Sequence, residues 1–273
     1  MRVCIRVFGI VQGVGFRPTV KRHADACDIA GSVSNKGPYV EIFAEGSEEC
    51  VNSFIKQIQE EPPKRAVILK LDVENVESGE DGIHKVESET DSKEKFQIIE
   101  SEKEEGEIFV SPDIAICPEC KKELYDKNDR RYLHPFINCT CCGPRLTILD
   151  SMPYDRVRTS MGEFPMCEKC EYEYTHAETR RFDAQPVCCN DCGPEVYLLG
   201  RKERGANAIR YTRKVISEGG IVAVKGIGGF HLCCDAAKEE TVARLRQRKK
   251  RPMKPFAVMM KDLDVVRREC ETE

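Results

Sequence analysis

Residues 2–8, Arg-Val-Cys-Ile-Arg-Val-Phe, form a short apolar run broken by Arg6 and read as a β-strand. From Pro18 to about Ala30 the spacing lengthens: Val20, Ala24, Cys27 and Ala30 recur at helical intervals and predict an α-helix. Two strands follow at Gly31–Asn35 and Tyr39–Ala44, with Asn35-Lys36-Gly37-Pro38 as the turn between them. A second helix over about Glu48–Glu60 carries Val51, Phe54, Ile55 and Ile58 on one face, and Ala66–Val73 and Phe96–Ile99 supply two more strands. The expected order is βαββαβ with a late edge strand, an α+β arrangement. Residues 77–95 have too few apolar positions to order themselves and read as a solvated loop. Towards the end of the chain Asn207–Ser217 and Lys238–Arg248 predict helices. Gly220–Val224 predicts a buried strand and Pro255–Met260 another, the start of an alternating α/β domain.

In the middle of the chain cysteine spacing carries the information. Four CxxC pairs, Cys117/Cys120, Cys139/Cys142, Cys167/Cys170 and Cys189/Cys192, are separated in turn by eighteen, twenty-four and eighteen residues. An offset of fifty residues superposes the first two pairs on the last two, Arg130-Arg131-Tyr132 on Arg180-Arg181-Phe182, and Cys142-Gly143-Pro144 on Cys192-Gly193-Pro194. Two thiolates in one turn face one ion and a second such turn closes a tetrahedral site, which suits zinc. Two structural Zn2+ ions are expected, without an open coordination position for chemistry. Sequential and interleaved pairings of the four turns both satisfy the spacing. His134 and His176 lack ligand spacing and read as exposed or hydrogen-bonded. Leu146–Arg156, between the two units, reads as a strand and turn.

Composition narrows the setting. Eight of the sixteen cysteines sit in metal-ligand pairs, Arg6 interrupts the apolar N-terminal run, and no stretch reaches membrane-spanning length, which together predict a soluble cytoplasmic protein in a reducing compartment with no membrane partner. Of the other cysteines only Cys141 and Cys188 lie close enough to compete as ligands. The formal net charge is −4, and residues 77–107 alone hold twelve acidic and four basic side chains. The remainder has no large basic field, which weighs against nucleic acid as a partner, although the Arg130-Arg131 and Arg180-Arg181 pairs are placed to touch phosphate.

The candidate chemistry lies between the first strand and the first helix. In Gly9-Ile10-Val11-Gln12-Gly13-Val14-Gly15-Phe16-Arg17 the glycines at 13 and 15 allow a tight turn whose N–H groups converge at a helix N-terminus, a geometry that binds anions and also occurs as a plain structural turn. Asn35 by itself is an ordinary turn residue. The wording of the loop goes further: Val11-Gln12-Gly13-Val14-Gly15-Phe16-Arg17 and Gly31-Ser32-Val33-Ser34-Asn35 resemble the two signatures of the acylphosphatase family. The turn after Asn35, Lys36-Gly37-Pro38-Tyr39, departs from that family's common Asp-Gly. The resemblance implies that Arg17, with the N–H groups of Gln12, Gly13, Val14, Gly15 and Phe16, holds the phosphate of an acyl phosphate, and that Asn35 orients the attacking water.

Further motifs extend the likeness. Cys117-Pro118-Glu119-Cys120, Asp129-Arg130-Arg131-Tyr132, Cys142-Gly143-Pro144-Arg145 and Met152-Pro153-Tyr154-Asp155-Arg156 resemble the HypF carbamoyltransferases of nickel–iron hydrogenase maturation. Lys225-Gly226-Ile227-Gly228-Gly229-Phe230-His231-Leu232 and the basic run from Arg246 to Pro255 are similar to the start of that family's YrdC-like ATP-binding domain. By that resemblance Lys225, Lys249, Arg251 and Lys254 are nucleotide-contact candidates; read alone, the cations at the helix end are a solvated face. The implied division is 1–100 acylphosphatase-like, 101–116 linker, 117–200 tandem Cys4 fingers and 205–273 an incomplete YrdC-like domain. The implied substrate is carbamoyl phosphate, with ATP and the partner HypE engaged only by the complete protein. Two other readings are a stand-alone acylphosphatase with an unrelated tail, and a zinc-ribbon interaction or nucleic-acid-binding module carrying an inactive acylphosphatase fold.

Overall fold

A computed structural model describes the chain except residues 77–94, 103, 105, 107–108, 227 and 272–273, so most of the expected 77–95 loop lies outside the described residues. The chain forms two compact units, Met1–Pro194 and Glu195–Glu273.

The first unit opens with β1 (Arg2–Ile10), α1 (Phe16–Ala26), β2 (Ala30–Asn35), β3 (Tyr39–Glu45), α2 (Glu48–Glu60), β4 (Val67–Asn75) and β5 (Phe96–Ile98). The strands form one sheet in the order β4-β1-β3-β2-β5. β1 runs antiparallel to β3 and β4, β2 antiparallel to β3, and β5 parallel to β2. This is the predicted βαββαβ order with its edge strand, a ferredoxin-like fold. Val3, Ile5 and Val7 of β1 and Val40 and Ile42 of β3 share a core with Val20 and Ala24 of α1 and Val51, Phe54 and Ile58 of α2. Their alternation in the strands and three-to-four spacing in the helices is what places them there. Ser47 caps α2 by accepting from the Cys50 N–H at 3.1 Å. α1 begins two residues before Pro18, because a proline in the first turn gives up no helical hydrogen bond. It stops at Ala26, short of the predicted Ala30, where Asp28 takes a left-handed conformation (φ 55°) and Ala30 joins the sheet.

After β5, the Glu102 and Glu104 N–H groups donate to the carbonyls of Asn35 and Lys36, so this stretch lies against the β2–β3 turn. The cysteine region follows with α3 (Pro118–Tyr125) and α4 (Glu168–Thr175), each with the first cysteine of a CxxC pair at its N-cap position; Cys117 Sγ accepts from the Cys120 N–H, whereas Cys167 makes no such side-chain bond. Between the repeats the predicted strand does not form. Leu146–Ile148, Arg156–Arg158 and Ser160–Glu163 are short 3-10 turns, and Leu149 and Thr159 make one isolated bridge, since this segment has no sheet edge to join.

The second unit contains α5 (Gly205–Ser217), β6 (Val222–Lys225), β7 (Phe230–Cys233), α6 (Glu239–Lys249) and α7 (Leu263–Glu269). β6 and β7 pair antiparallel. Two expectations fail here. The strand predicted as buried at Gly220–Val224 is displaced to Val222–Lys225, and its Val224 is 42% exposed. Pro255–Met260 is not a strand: Val258 and Met259 are exposed and no partner strand pairs with them, so an apolar run alone misled.

Candidate active site and metal centres

The loop from Gln12 to Phe16 is pinned from below. Val11, Val14 and Phe16 enter the apolar core, while Gly13 (φ 72°) and Gly15 (φ 79°) take left-handed conformations that turn the chain into α1. Among the described residues, no acceptor is paired with the backbone N–H groups of Gln12, Gly13, Val14, Gly15 or Phe16. These groups gather at the positive end of α1, as an anion site requires. Asn35, at the end of β2, is buried, and its Oδ1 has no hydrogen-bond partner among the described residues. Gln12, Gly13, Gly15, Arg17 and Asn35 line one cleft. Val14 and Phe16 hold the loop from the core side, Phe16 also reaching the cleft wall.

The far wall of that cleft comes from the cysteine region, and sequence reading missed it. Arg17 Nη1 donates to Asp155 Oδ1 at 2.9 Å and to Ser101 Oγ at 3.1 Å, and its Nε lies 3.1 Å from Asp183 Oδ2. Burial opposes the Arg17 charge, but Asp183 and Asp155 more than offset this and hold its pKa above the usual value. Burial pushes the Asp183 carboxyl up, against the pull of Arg17. Tyr154 closes the cleft, its N–H donating to Gln12 Oε1 at 3.2 Å. Arg145 is buried and directs all five N–H groups at backbone carbonyls: those of Gly13, Cys139, Thr140, Cys142 and Pro144. It ties the phosphate-loop candidate to the first cysteine cluster. Arg145, Tyr154 and Asp155 stand in the Cys142–Arg145 and Met152–Arg156 motifs quoted above, but the motifs by themselves do not tie these residues to the Gln12–Phe16 loop.

The eight predicted ligands form two sets, Cys117/Cys120/Cys139/Cys142 and Cys167/Cys170/Cys189/Cys192, so the pairing is sequential. Sulfur–sulfur separations are 3.7 Å for Cys117–Cys139 and Cys139–Cys142, 3.8 Å for Cys167–Cys189 and Cys189–Cys192, and 3.5 Å for Cys170–Cys192. A tetrahedron with metal–sulfur bonds of about 2.3 Å has edges of about 3.8 Å, so both sets fit one metal ion each. Cys141 and Cys188 stay outside the sets. The Cys141 N–H donates to Cys139 Sγ, while the Cys188 thiol is buried beside His134. His134 is likewise no ligand: it contacts Asn190 Oδ1 at 2.9 Å, and burial lowers its pKa to about 4.

The arginine pairs do not face solvent phosphate. Arg131 and Arg181 are almost fully buried, and all four arginines pair with Glu123 or Glu173. In the second unit Lys225 is exposed on β6 and Lys249 ends α6. Arg251 donates to the Pro255 carbonyl, and the Lys254 carbonyl accepts from Arg246. Among the described residues no helix is long and apolar enough to cross a membrane.

Comparisons with known proteins agree with this layout. The Acylphosphatase family matches residues 3–97, the HypF finger family residues 116–149 and 166–199, and the Telomere recombination family (Sua5, YciO, YrdC) residues 214–273. The "Probable carbamoyltransferase HypF" of Methanocaldococcus jannaschii is 52% identical over 96% of this chain and 33% of its own length, and the "Carbamoyltransferase HypF2" of Cupriavidus necator 46% identical over 96% and 32%. An acylphosphatase of Caldivirga maquilingensis is 46% identical over 30% of this chain and 86% of its own length. A crystal structure of full-length HypF in a phosphate- and nucleotide-bound form superposes with a TM-score of 0.85 at 46% identity, covering 97% of this chain and 34% of that one. The chain thus spans about a third of the length of the HypF relatives it matches. With an acylphosphatase domain, both HypF fingers and part of a Sua5/YrdC domain along it, this chain belongs to the HypF family.

Proposed function

We propose that the cleft between the Gln12–Phe16 loop and Asn35 hydrolyses acyl phosphates, with carbamoyl phosphate as substrate. The observation that carries this reading is the row of five backbone N–H groups beside a buried guanidinium and Asn35 Oδ1, the N–H groups and the Oδ1 without partners among the described residues. In the proposed reaction the N–H groups and Arg17 hold the phosphoryl oxygens, and Asn35 Oδ1 accepts a hydrogen bond from a water and aims it at phosphorus. The water oxygen bonds to phosphorus as the bridging P–O bond breaks. Carbamate leaves with the bond's electron pair, and both protons of the water remain on the inorganic phosphate. A good leaving group lets positioning and charge stabilisation suffice without a strong base.

Each Cys4 set holds a structural Zn2+ ion in this reading, four thiolates leaving no position for substrate. The abundance of unbridged thiols supports a reducing, cytoplasmic setting. ATP, contacted by Lys225, Lys249, Arg251 and Lys254, and carbamoyl transfer to HypE belong, in this reading, to a protein of the length of the HypF relatives.

Phosphate release from carbamoyl phosphate tests the assignment. Arg17→Ala and Asn35→Ala are each expected to lower kcat/KM by roughly a hundredfold or more, the size of effect seen when one donor to a developing charge is removed. An active parent whose two variants match it would remove both residues from the mechanism.

A further inference from the structure

The two fingers exchange their arginines. Arg180, from the second repeat, donates through Nη1 to Cys120 Sγ of the first at 3.2 Å and pairs with Glu123 at 2.5 Å. Arg130, from the first repeat, donates through Nη1 and Nη2 to Cys170 Sγ of the second at 3.3 and 3.2 Å and pairs with Glu173 at 2.5 Å. The neighbouring arginines repeat the exchange: Arg131 Nε donates to the Cys188 carbonyl at 2.8 Å, and Arg181 Nε to the Asn138 carbonyl at 2.9 Å. Under the fifty-residue offset every one of these contacts maps onto its counterpart, the pattern of an isologous interface folded within one chain.

Electrostatics gives the exchange a purpose. Four thiolates around a divalent ion carry two net negative charges, and a buried charge of that size needs nearby cations and donors. Neither finger supplies these arginine contacts to its own cysteines; the other finger does. We propose that the two Cys4 sites form one cooperative metal-binding unit, in which each repeat completes the metal site of the other through Arg130 and Arg180.

The test uses the full chain loaded with zinc, challenged with a chelator while iodoacetamide labels each cysteine as it is released, read by mass spectrometry. Arg180→Met is expected to hasten labelling of Cys117 and Cys139 in the opposite repeat, and Arg130→Met that of Cys167 and Cys189. Losing a hydrogen bond donated to a metal-binding sulfur weakens metal binding roughly ten- to hundredfold. Faster labelling confined to the mutated repeat, or labelling at the parent rate, would overturn the proposal. Native mass spectrometry of the parent chain during zinc titration needs no variant: species with no metal and two metals should dominate, and an abundant one-metal species or a chain that takes up no zinc sinks it.

Discussion

In the sheet domain the large side chains that are fully buried include Phe54, Phe96, Ile5, Ile42 and Ile58; in the fingers they are Arg131, Arg145 and His134. Apolar burial is non-directional, so the sheet core asks only that the right faces be apolar. A buried guanidinium must instead find an acceptor for every N–H, and Arg145 does so on five carbonyls. One region is held by area and the other by stoichiometry of bonds. Small segments with little apolar core need such staples.

Stripping the metals should separate the two regions most sharply. Structural zinc contributes on the order of 10 kcal/mol to folding, so chelation is expected to abolish amide protection across residues 117–192 while β1 and β3 stay protected in hydrogen exchange. Equal loss in both would show that the sheet domain leans on the fingers. Phe54→Ala should cost about 3–5 kcal/mol in denaturant unfolding through the cavity it leaves, without changing zinc content. Arg145→Met, by contrast, leaves five carbonyls short of a donor and is expected to cost about 3 kcal/mol. Because Arg145 also holds Gly13, the variant should weaken inorganic phosphate binding, measured by calorimetry, and Arg145→Lys should restore little, as an ammonium lacks the planar fork.

The smallest effect is a pH dependence. Burial holds His134 neutral, its pKa lowered from 6.5 to about 4. A depressed folded value means that the stabilisation is fully present above pH 6.5 and is lost as pH falls towards 4. Thermal melts of His134→Gln should therefore decline less steeply than the parent between those values, and parallel curves would remove the imidazole from the account.

The same comparison explains what the sequence made legible. The sheet order, the loop at Gln12–Phe16, Arg17 and Asn35 were readable because periodicity and contiguous motifs are local. The eight cysteines were readable because their spacing is fixed by a turn. The contact of Asp155 and Asp183 with Arg17 was not, since it spans 138 and 166 residues: Asp155 stands in a family-like motif and Asp183 in none, and neither setting names the arginine as a partner. The arginine pairs were visible as repeated residues, but their exposure was misjudged because charge alone says nothing about a partner in the other repeat. Pro255–Met260 failed for the opposite reason, being apolar yet exposed.

Leu133 and Asp183 stand fifty residues apart in equivalent turns and share a left-handed backbone, φ 54° and 56°. Each N–H donates to the carbonyl nine residues before it, of Leu124 and Tyr174 respectively. The main chain fixes the turn in both copies and leaves the side chain uncommitted. In the first copy that freedom is spent on a partly exposed leucine; in the second it places a carboxylate on Arg17. Duplication thus created a spare: one copy could drift from its twin and acquire a new neighbour without disturbing the architecture that both maintain.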